Sequence, residues 1–560
     1  MANAVLKAGV RSHSGLEEAV YQNIEMCMQL VRMVRTSLGP NGLFKMILNR
    51  LEKLIVTKNA SAIASELDVT HPAAKMLVMA AQNQALEYGD GTNFVMALAG
   101  ELLDRAKNLL QQGLVVVDIL AGYEHAYQYL SDKILSAESH PLISRPVVDL
   151  HNPTQLSLIL KPALASKQYG YEDFLSRLVA DACTSVMPED CRLFNTEAIR
   201  IAKVPGRSVR DSFIVRGFVI PALPKGSVTK MEKCRVAVYG CAVELDRMET
   251  KGTVLLSNAE ELLDLSASEE RAMEARIREF AEAGINVIVS QMSFTDLAVH
   301  YCNKYGVMAL KIGSKFEVRR FAKSVGAAVL MSLRIPTAEQ IGTCSEMVIE
   351  EIGDKQVVIA RDLEQDGDAS AETNTTGEMH CRDIVTIILR AATDNVLNDV
   401  SVAIGNAVNV AKAACTDDRF LPGAGAAEAA MTTQLRTLAS HEPGLKQYSL
   451  RAYAEALESI PRVLAETSGL PVDKVMAELQ AAHVAQKVNT GIDIEADTSS
   501  ATTFCCDARE KQIYDSVAIK NWALRMATDT ACNILRVDVI VMRKAAGGPA
   551  PRAPGQADWN

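Results

Sequence analysis

No run of the 560-residue chain is apolar for long enough to cross a bilayer, so no membrane partner is expected. The first twenty residues include Lys7, Arg11, Glu17 and Glu18 and hold no sustained apolar stretch, so no secretory leader is read there. Basic blocks are absent and the net charge is −10, which argues against a nucleic-acid partner. The twelve cysteines form no Cys-x-x-Cys, and the adjacent Cys505-Cys506 lacks a plausible set of metal partners nearby. Buried free thiols in a reducing cytosol are the expectation, with His380-Cys381 a weak candidate for half of a metal site. A Walker-type Gly-Lys-Ser/Thr and a dinucleotide fingerprint are also missing, which disfavours a metabolic phosphotransferase with an α/β substrate domain.

What is present is 48% apolar and 22% charged, an ordinary globular composition, and the length exceeds what one core organises. Two or three domains are expected. The most informative stretch is Gly89-Asp90-Gly91-Thr92-Asn93-Phe94, which opens a long amphipathic helix. Two glycines permit close backbone approach, a helix start offers free N–H groups to an anion, and Asp90 offers a carboxylate to a phosphate-bound cation. Equally, Asp90 or Thr92 could simply cap the helix beside a glycine turn.

Taken in order, apolar residues at Ala19, Ile24, Met28, Leu30, Val31 and Val34 predict a helix that stops at Leu38-Gly39-Pro40-Asn41-Gly42. Lys45–Asn49 and Lys53–Thr57 read as a hairpin around Asn49-Arg50-Leu51-Glu52 that could pair with a neighbour's sheet edge. Helices follow from Pro72 to about Leu135, and Pro141 and Pro146 mark a break. From about residue 195 to 365 strands alternate with helices: Arg235–Tyr239, Asn286–Ser290 and Val307–Ile312 as strands, Glu269–Ala283, Asp296–Tyr305 and Phe316–Val325 as helices. Residues 364–383 are acidic and polar and read as an exposed loop; Ile384–Leu389 resumes a strand, and helices return from Asp394. An α/β domain inserted into a helical domain built from both chain ends is therefore expected. Pro422-Gly423-Ala424-Gly425-Ala426-Ala427-Glu428 opens another helix, Arg536–Met542 reads as a strand, and 545–560 as a disordered tail.

The order of Leu38-Gly-Pro-Asn-Gly-Leu-Phe-Lys-Met46, Gly89-Asp-Gly-Thr92, Pro422-Gly-Ala-Gly-Ala-Ala-Glu428 and Asn489-Thr-Gly-Ile-Asp493 resembles the TCP-1 family of group II chaperonins over nearly the full chain. His71-Pro-Ala-Ala-Lys-Met76, Ser166-Lys-Gln-Tyr-Gly170 and Leu535-Arg-Val-Asp538 look like the wording of one eukaryotic subunit class. The resemblance implies a mixed α and α/β multidomain subunit of a cytosolic, hetero-oligomeric double ring that folds clients such as actin and tubulin with ATP and Mg²⁺. A mainly helical equatorial domain would comprise 1–150 and 411–544, a hinge-like intermediate domain 151–217 and 384–410, and an apical substrate-binding domain 218–383.

On the same resemblance Leu38, Gly39, Pro40, Gly91, Thr92, Asn93, Phe94, Gly425 and Asp515 would hold ATP, and Asp90 would hold Mg²⁺. Ser166 and Lys167 would sense the γ-phosphate, with a salt-bridged surface lysine the alternative at 167. The helix Asp296–Tyr305 would line the cavity mouth and meet clients, an ordinary packed α/β helix being the alternative. Leu255–Met273 would belong to a helical protrusion of the apical domain that closes as a lid, with Leu262, Leu263 and Leu265 suited to transient contact with unfolded chains. Two departures stand out. Where the family carries Thr-Asn-Asp-Gly, this chain has Thr57-Lys58-Asn59-Ala60, and a second family aspartate aligns with Asn406. Both expected catalytic carboxylates are amides, which predicts a subunit that binds Mg-ATP and hydrolyses it weakly, or one whose nucleotide site is chiefly architectural.

Overall fold

The computed structural model describes residues 11–14, 16–49, 52, 54–67, 69–136, 140–147, 149–220, 223–244, 259–353, 355–361, 384–496 and 503–542. The 364–383 loop, the 545–560 tail, His380-Cys381, the first part of the 255–273 region with the side chains of Leu262, Leu263 and Leu265, and the tip of the 45–57 hairpin lie outside the described residues.

In chain order the first elements are β1 (Arg11–Ser14), α1 (Leu16–Arg35), β2 (Lys45–Leu48), β3 (Leu54–Thr57), α2 (Ala60–Glu66), α3 (Pro72–Glu87), α4 (Thr92–Gln111), α5 (Val116–Tyr129), α6 (Pro153–Ala165) and α7 (Glu172–Val186). Next come β4 (Ile199–Pro205), β5 (Phe213–Arg216), β6 (Phe218–Ile220), β7 (Leu223–Pro224), β8 (Lys230–Tyr239), α8 (Ala259–Glu282), β9 (Val287–Ser290), α9 (Asp296–Tyr305), β10 (Met308–Lys311), α10 (Lys315–Ser324), β11 (Val329–Leu330), β12 (Gly342–Ile352), β13 (Lys355–Arg361) and β14 (Val385–Ala391). The chain ends with α11 (Asp394–Thr416), β15 (Phe420–Pro422), α12 (Ala426–His441), α13 (Lys446–Thr467), α14 (Val472–Val484), β16 (Thr490–Ile492), β17 (Cys505–Asp507), β18 (Tyr514–Ser516), α15 (Val517–Leu535) and β19 (Val539–Met542).

The chain divides into two compact units. The first comprises Met1–Val148, Lys161–Tyr169 and Asp417–Asn560; the second comprises Asp149–Leu160 and Gly170–Thr416. In the first, α4 is the central helix, with Val95, Leu98, Leu102 and Ala106 buried on the stripe its spacing predicts. Gly100 lets α1 approach closely, since a Cβ there would stand 2.6 Å from Val31 Cγ2. Around this core β1 pairs with β19, β2 with β3, β15 with β18 and β16 with β17, all antiparallel.

In the second unit β8, β9 and β10 are parallel neighbours, with β9 and β10 joined through α9. Val287, Ile288 and Val289 of β9 are wholly buried, as a strand covered on both faces requires. Thr295 caps α9 through the Ala298 N–H, and Gly306 ends it in the left-handed conformation. The sheet continues antiparallel through β12, β13 and β6, while β4, β14 and β5 form a separate three-stranded sheet. Two expectations shift: α8 begins at Ala259 rather than 269, and the final strand begins at Val539 because α15 runs on to Leu535. Among the described residues no helix is long and apolar enough to cross a membrane, and the cysteines are free.

Candidate functional site

The turn between α3 and α4 places Gly89 (φ 73°) and Gly91 (φ 79°) in the left-handed region, where glycine alone is free of Cβ strain. Gly91 is the N-cap of α4 and no side chain caps that end, so neither Asp90 nor Thr92 plays the cap. The first N–H groups of a twenty-residue helix are thus left to an anion or water. Gln84 Nε2 donates to the Asp90 carbonyl at 2.8 Å, and a Cβ on Gly91 would lie 3.1 Å from that nitrogen.

Asp90 Oδ1 accepts from Lys167 Nζ at 3.0 Å, and that ammonium is 3.5 Å from the Gly89 carbonyl. Burial disfavours the carboxylate, but Lys167, the Gly91 N–H and the more distant Lys520 outweigh it and hold Asp90 below the usual range. Lys167 is 9% exposed, so it is ion-paired but not a surface lysine. Ser166 is turned to its own helix, its hydroxyl donating to the Ala163 carbonyl at 2.7 Å.

The loop after α1 meets the same helix start: Asn93 Nδ2 donates to the Ser37 carbonyl at 3.0 Å, next to Leu38. Gly39 has φ 86°, and a Cβ there would stand 2.6 Å from Leu464 Cδ1. Asn59 follows β3 and caps α2, its Oδ1 accepting from the Ser61 N–H at 3.3 Å and the Ser61 hydroxyl at 3.2 Å. The same oxygen lies 3.4 Å from Thr92 Oγ1, which brings Asn59 to the first residue of α4.

A second uncapped helix start stands at Gly425 (φ 79°), the N-cap of α12, where a Cβ would be 2.9 Å from Pro461 Cβ. One turn on, Glu428 Oε1 accepts from Lys520 Nζ at 2.6 Å, and Lys520 is 3.0 Å from Asp515 Oδ2. The ammonium lies 4.6 Å from the Phe94 ring centroid. Burial disfavours its charge, yet Asp515 and Glu428 together raise its pKa. Burial raises that of Asp515, with Lys520 opposing and Glu428 adding to the rise. Asp515 nonetheless keeps 37% of its side chain exposed, so the ion pair with Glu428, 3% exposed, is the drier contact.

The structure therefore joins Asp90 to Lys167, Asn59 to Thr92, Asn93 to the loop at Leu38, and Phe94 to Asp515 through Lys520. Asn406 belongs to the second unit, on α11, where its Nδ2 is buried without a hydrogen-bond partner. Gln84, Glu428 and Lys520 carry no site role in the sequence reading; a lysine five positions after Asp515 at the start of a helix was the available signal.

Two glycine-opened helix starts without side-chain caps fit a phosphate-bearing ligand. Among the described residues no group of three or more His, Cys, Asp or Glu is arranged for a metal. A single carboxylate at Asp90 instead fits Mg²⁺ that arrives with phosphate oxygens and keeps its waters.

A helical unit drawn from both chain ends, carrying this paired-glycine site, with an α/β unit inserted between, is the build of a chaperonin subunit. The chain belongs to the TCP-1/cpn60 chaperonin family, whose model matches residues 30–545. It is 42% identical over 554 residues to T-complex protein 1 subunit theta of Dictyostelium discoideum, covering 99% of this chain and 98% of that one. The Homo sapiens subunit theta is 41% identical over 556 residues, at 99% and 97% coverage, and that of Arabidopsis thaliana 40% over 546 residues, at 98% and 95%.

Proposed function

We propose that this chain is a theta-type subunit of a cytosolic, hetero-oligomeric double-ring chaperonin, and that it binds Mg-ATP while hydrolysing it weakly. Near-full-length likeness to proteins named T-complex protein 1 subunit theta supports the assembly role. The helical unit would be the equatorial, nucleotide-binding domain, and the inserted unit would supply the hinge and the surface for unfolded clients, actin and tubulin among them. The β2–β3 hairpin leaves Met46 and Leu48 exposed, which suits pairing with the terminal strands of a neighbour.

One observation carries the enzymatic reading: Asn59 Oδ1 stands 3.4 Å from Thr92 Oγ1, at the start of α4, where the family resemblance expects a carboxylate. ATP would supply a γ-phosphoryl group here, and Mg²⁺ would offset the charge of its phosphates. Gly91 and Gly425 keep Cβ atoms out of the two helix starts, and the N–H groups behind them would donate to anionic oxygens. Asp90, paired here with Lys167, would hold the cation through its ionised oxygens. Asn59 can orient a water through its amide but cannot take its proton at neutral pH. The closed Asp90–Lys167 pair also suits a site whose main role is architectural.

Equilibrium titration with Mg-ATP and single-turnover hydrolysis by the full-length chain test the proposal. Binding with slow turnover is the expected result; turnover matching ordinary members of the family, or no binding at all, would overturn it.

A further inference from the structure

Lys58 is an ammonium-bearing residue only 3% exposed, directly before Asn59, and burying such a group demands compensation. Its Nζ donates to the Pro40 carbonyl at 3.0 Å and lies 5.5 Å from the Phe44 ring centroid. The strand register opposes Lys45 to Thr57, so Phe44 and Lys58 are the next residues outward on the two strands of the hairpin. Between Pro40 and Phe44 the loop folds on itself, with Gly42 N–H donating to the Gly39 carbonyl at 3.1 Å and Leu43 N–H to the Thr36 carbonyl at 2.9 Å. One amine thus ties both halves of the loop after α1 to the strand end that carries Asn59.

We propose that Lys58 is a positioning residue that latches the 38–44 loop, and that this latch slows the release of bound nucleotide; the inference rests on the nucleotide reading above. The local charge acts in the same direction. Asn-Asp at these positions would bring a negative charge to the strand end, whereas Lys58-Asn59 brings a positive one, which favours a polyanion. A site that cleaves slowly and releases slowly holds nucleotide as a standing ligand.

The test is the dissociation rate of a fluorescent ADP analogue, with Mg²⁺, chased from the full-length chain by unlabelled ADP. Lys58→Met loses a charge-assisted hydrogen bond and should release the analogue about tenfold faster, while Lys58→Arg, which keeps a donor, should stay near the wild-type rate. A purely structural lysine would lower the melting temperature of Lys58→Met and leave the rate alone. Phe44→Leu, at a residue 53% exposed, gives a second reading if Lys58→Met does not fold, and should show a smaller acceleration. Release at the wild-type rate from a folded, binding-competent variant overturns this inference alone. A wild-type chain that binds no nucleotide overturns both this inference and the nucleotide reading.

Discussion

Asn59 and Thr92 lie thirty-three residues apart in sequence, yet the amide oxygen of one is 3.4 Å from the hydroxyl of the other. The contact follows from two local decisions: β3 ends at Thr57 so that Asn59 can cap α2, and α4 begins directly after a left-handed glycine. Asparagine and aspartate are equally good N-caps, so Asn59→Asp should fold with little change in stability. The restored carboxylate can accept a proton from water, and positioned general bases typically contribute ~10²–10⁴-fold. Single-turnover hydrolysis should rise toward that range in Asn59→Asp and further with Asn406→Asp. An unchanged rate in the double variant would sink the account of weak hydrolysis.

The Asp90–Lys167 pair predicts a pH dependence whose sign is fixed by its charge. Lys167 and the Gly91 N–H hold the folded-state carboxyl below its ordinary value near 3.8 despite burial. A depressed carboxyl contributes stability that is fully present above the unfolded-state value and is lost as pH falls through the folded one. Melting temperature should therefore fall on acidification below about pH 4. In Lys167→Met that portion of the fall should flatten, because the chief source of the depression is gone. Parallel melting curves for the two proteins across pH 2–5 would contradict it.

Lys520 is held between the nearby Asp515 and the sequence-distant Glu428, so its removal should cost more than loss of an exposed ion pair does. Lys520→Met leaves Glu428 buried with its partner gone, and breaking such a pair costs about 3 kcal/mol, the lower figure being apt because Asp515 is partly solvated. Adding Glu428→Gln removes the orphaned charge and should recover part of the loss. Denaturant unfolding of the wild type, the single variants and the double variant gives the cycle. A Lys520→Met chain as stable as the wild type would show that the cluster is solvated rather than buried.

Legibility in the sequence tracked how local each cause is. The Gly89–Phe94 helix start and the hairpin at 45–57 could be read because turn glycines and strand alternation act over a few residues. The parallel strands β9 and β10 were visible as apolar runs between helices of ordinary length. The β12–β13 pairing is hard to read from the sequence, although Gly353-Asp354 between two apolar runs is a hairpin signal, because Glu346, Glu350 and Glu351 interrupt the alternation. Lys520 was invisible for a different reason: Glu428 and Phe94 reach it only through tertiary packing, 92 and 426 positions away in sequence. The strand expected from Arg536 began late because α15 keeps Ile534 and Leu535 in the core, and helix continues while its buried face does.

The hairpin carries the last prediction. Met46 is 72% exposed and Leu48 66%, while Ile47 between them is buried, so the strand presents an apolar face outward with the period of two that β structure imposes. An exposed apolar strand in a stable chain marks a contact surface or an aggregation hazard. Met46→Asp should leave the fold of the helical unit intact, since that side chain touches little of the core, and should lower the amount of chain recovered in high-mass complexes when co-produced with partner subunits. Ile47→Asp should instead impair folding itself, because a charge would enter the buried side. The two outcomes separate an assembly edge from a structural one: incorporation of Met46→Asp at the wild-type level, measured by native sizing, would assign the hairpin's exposed face no role in assembly.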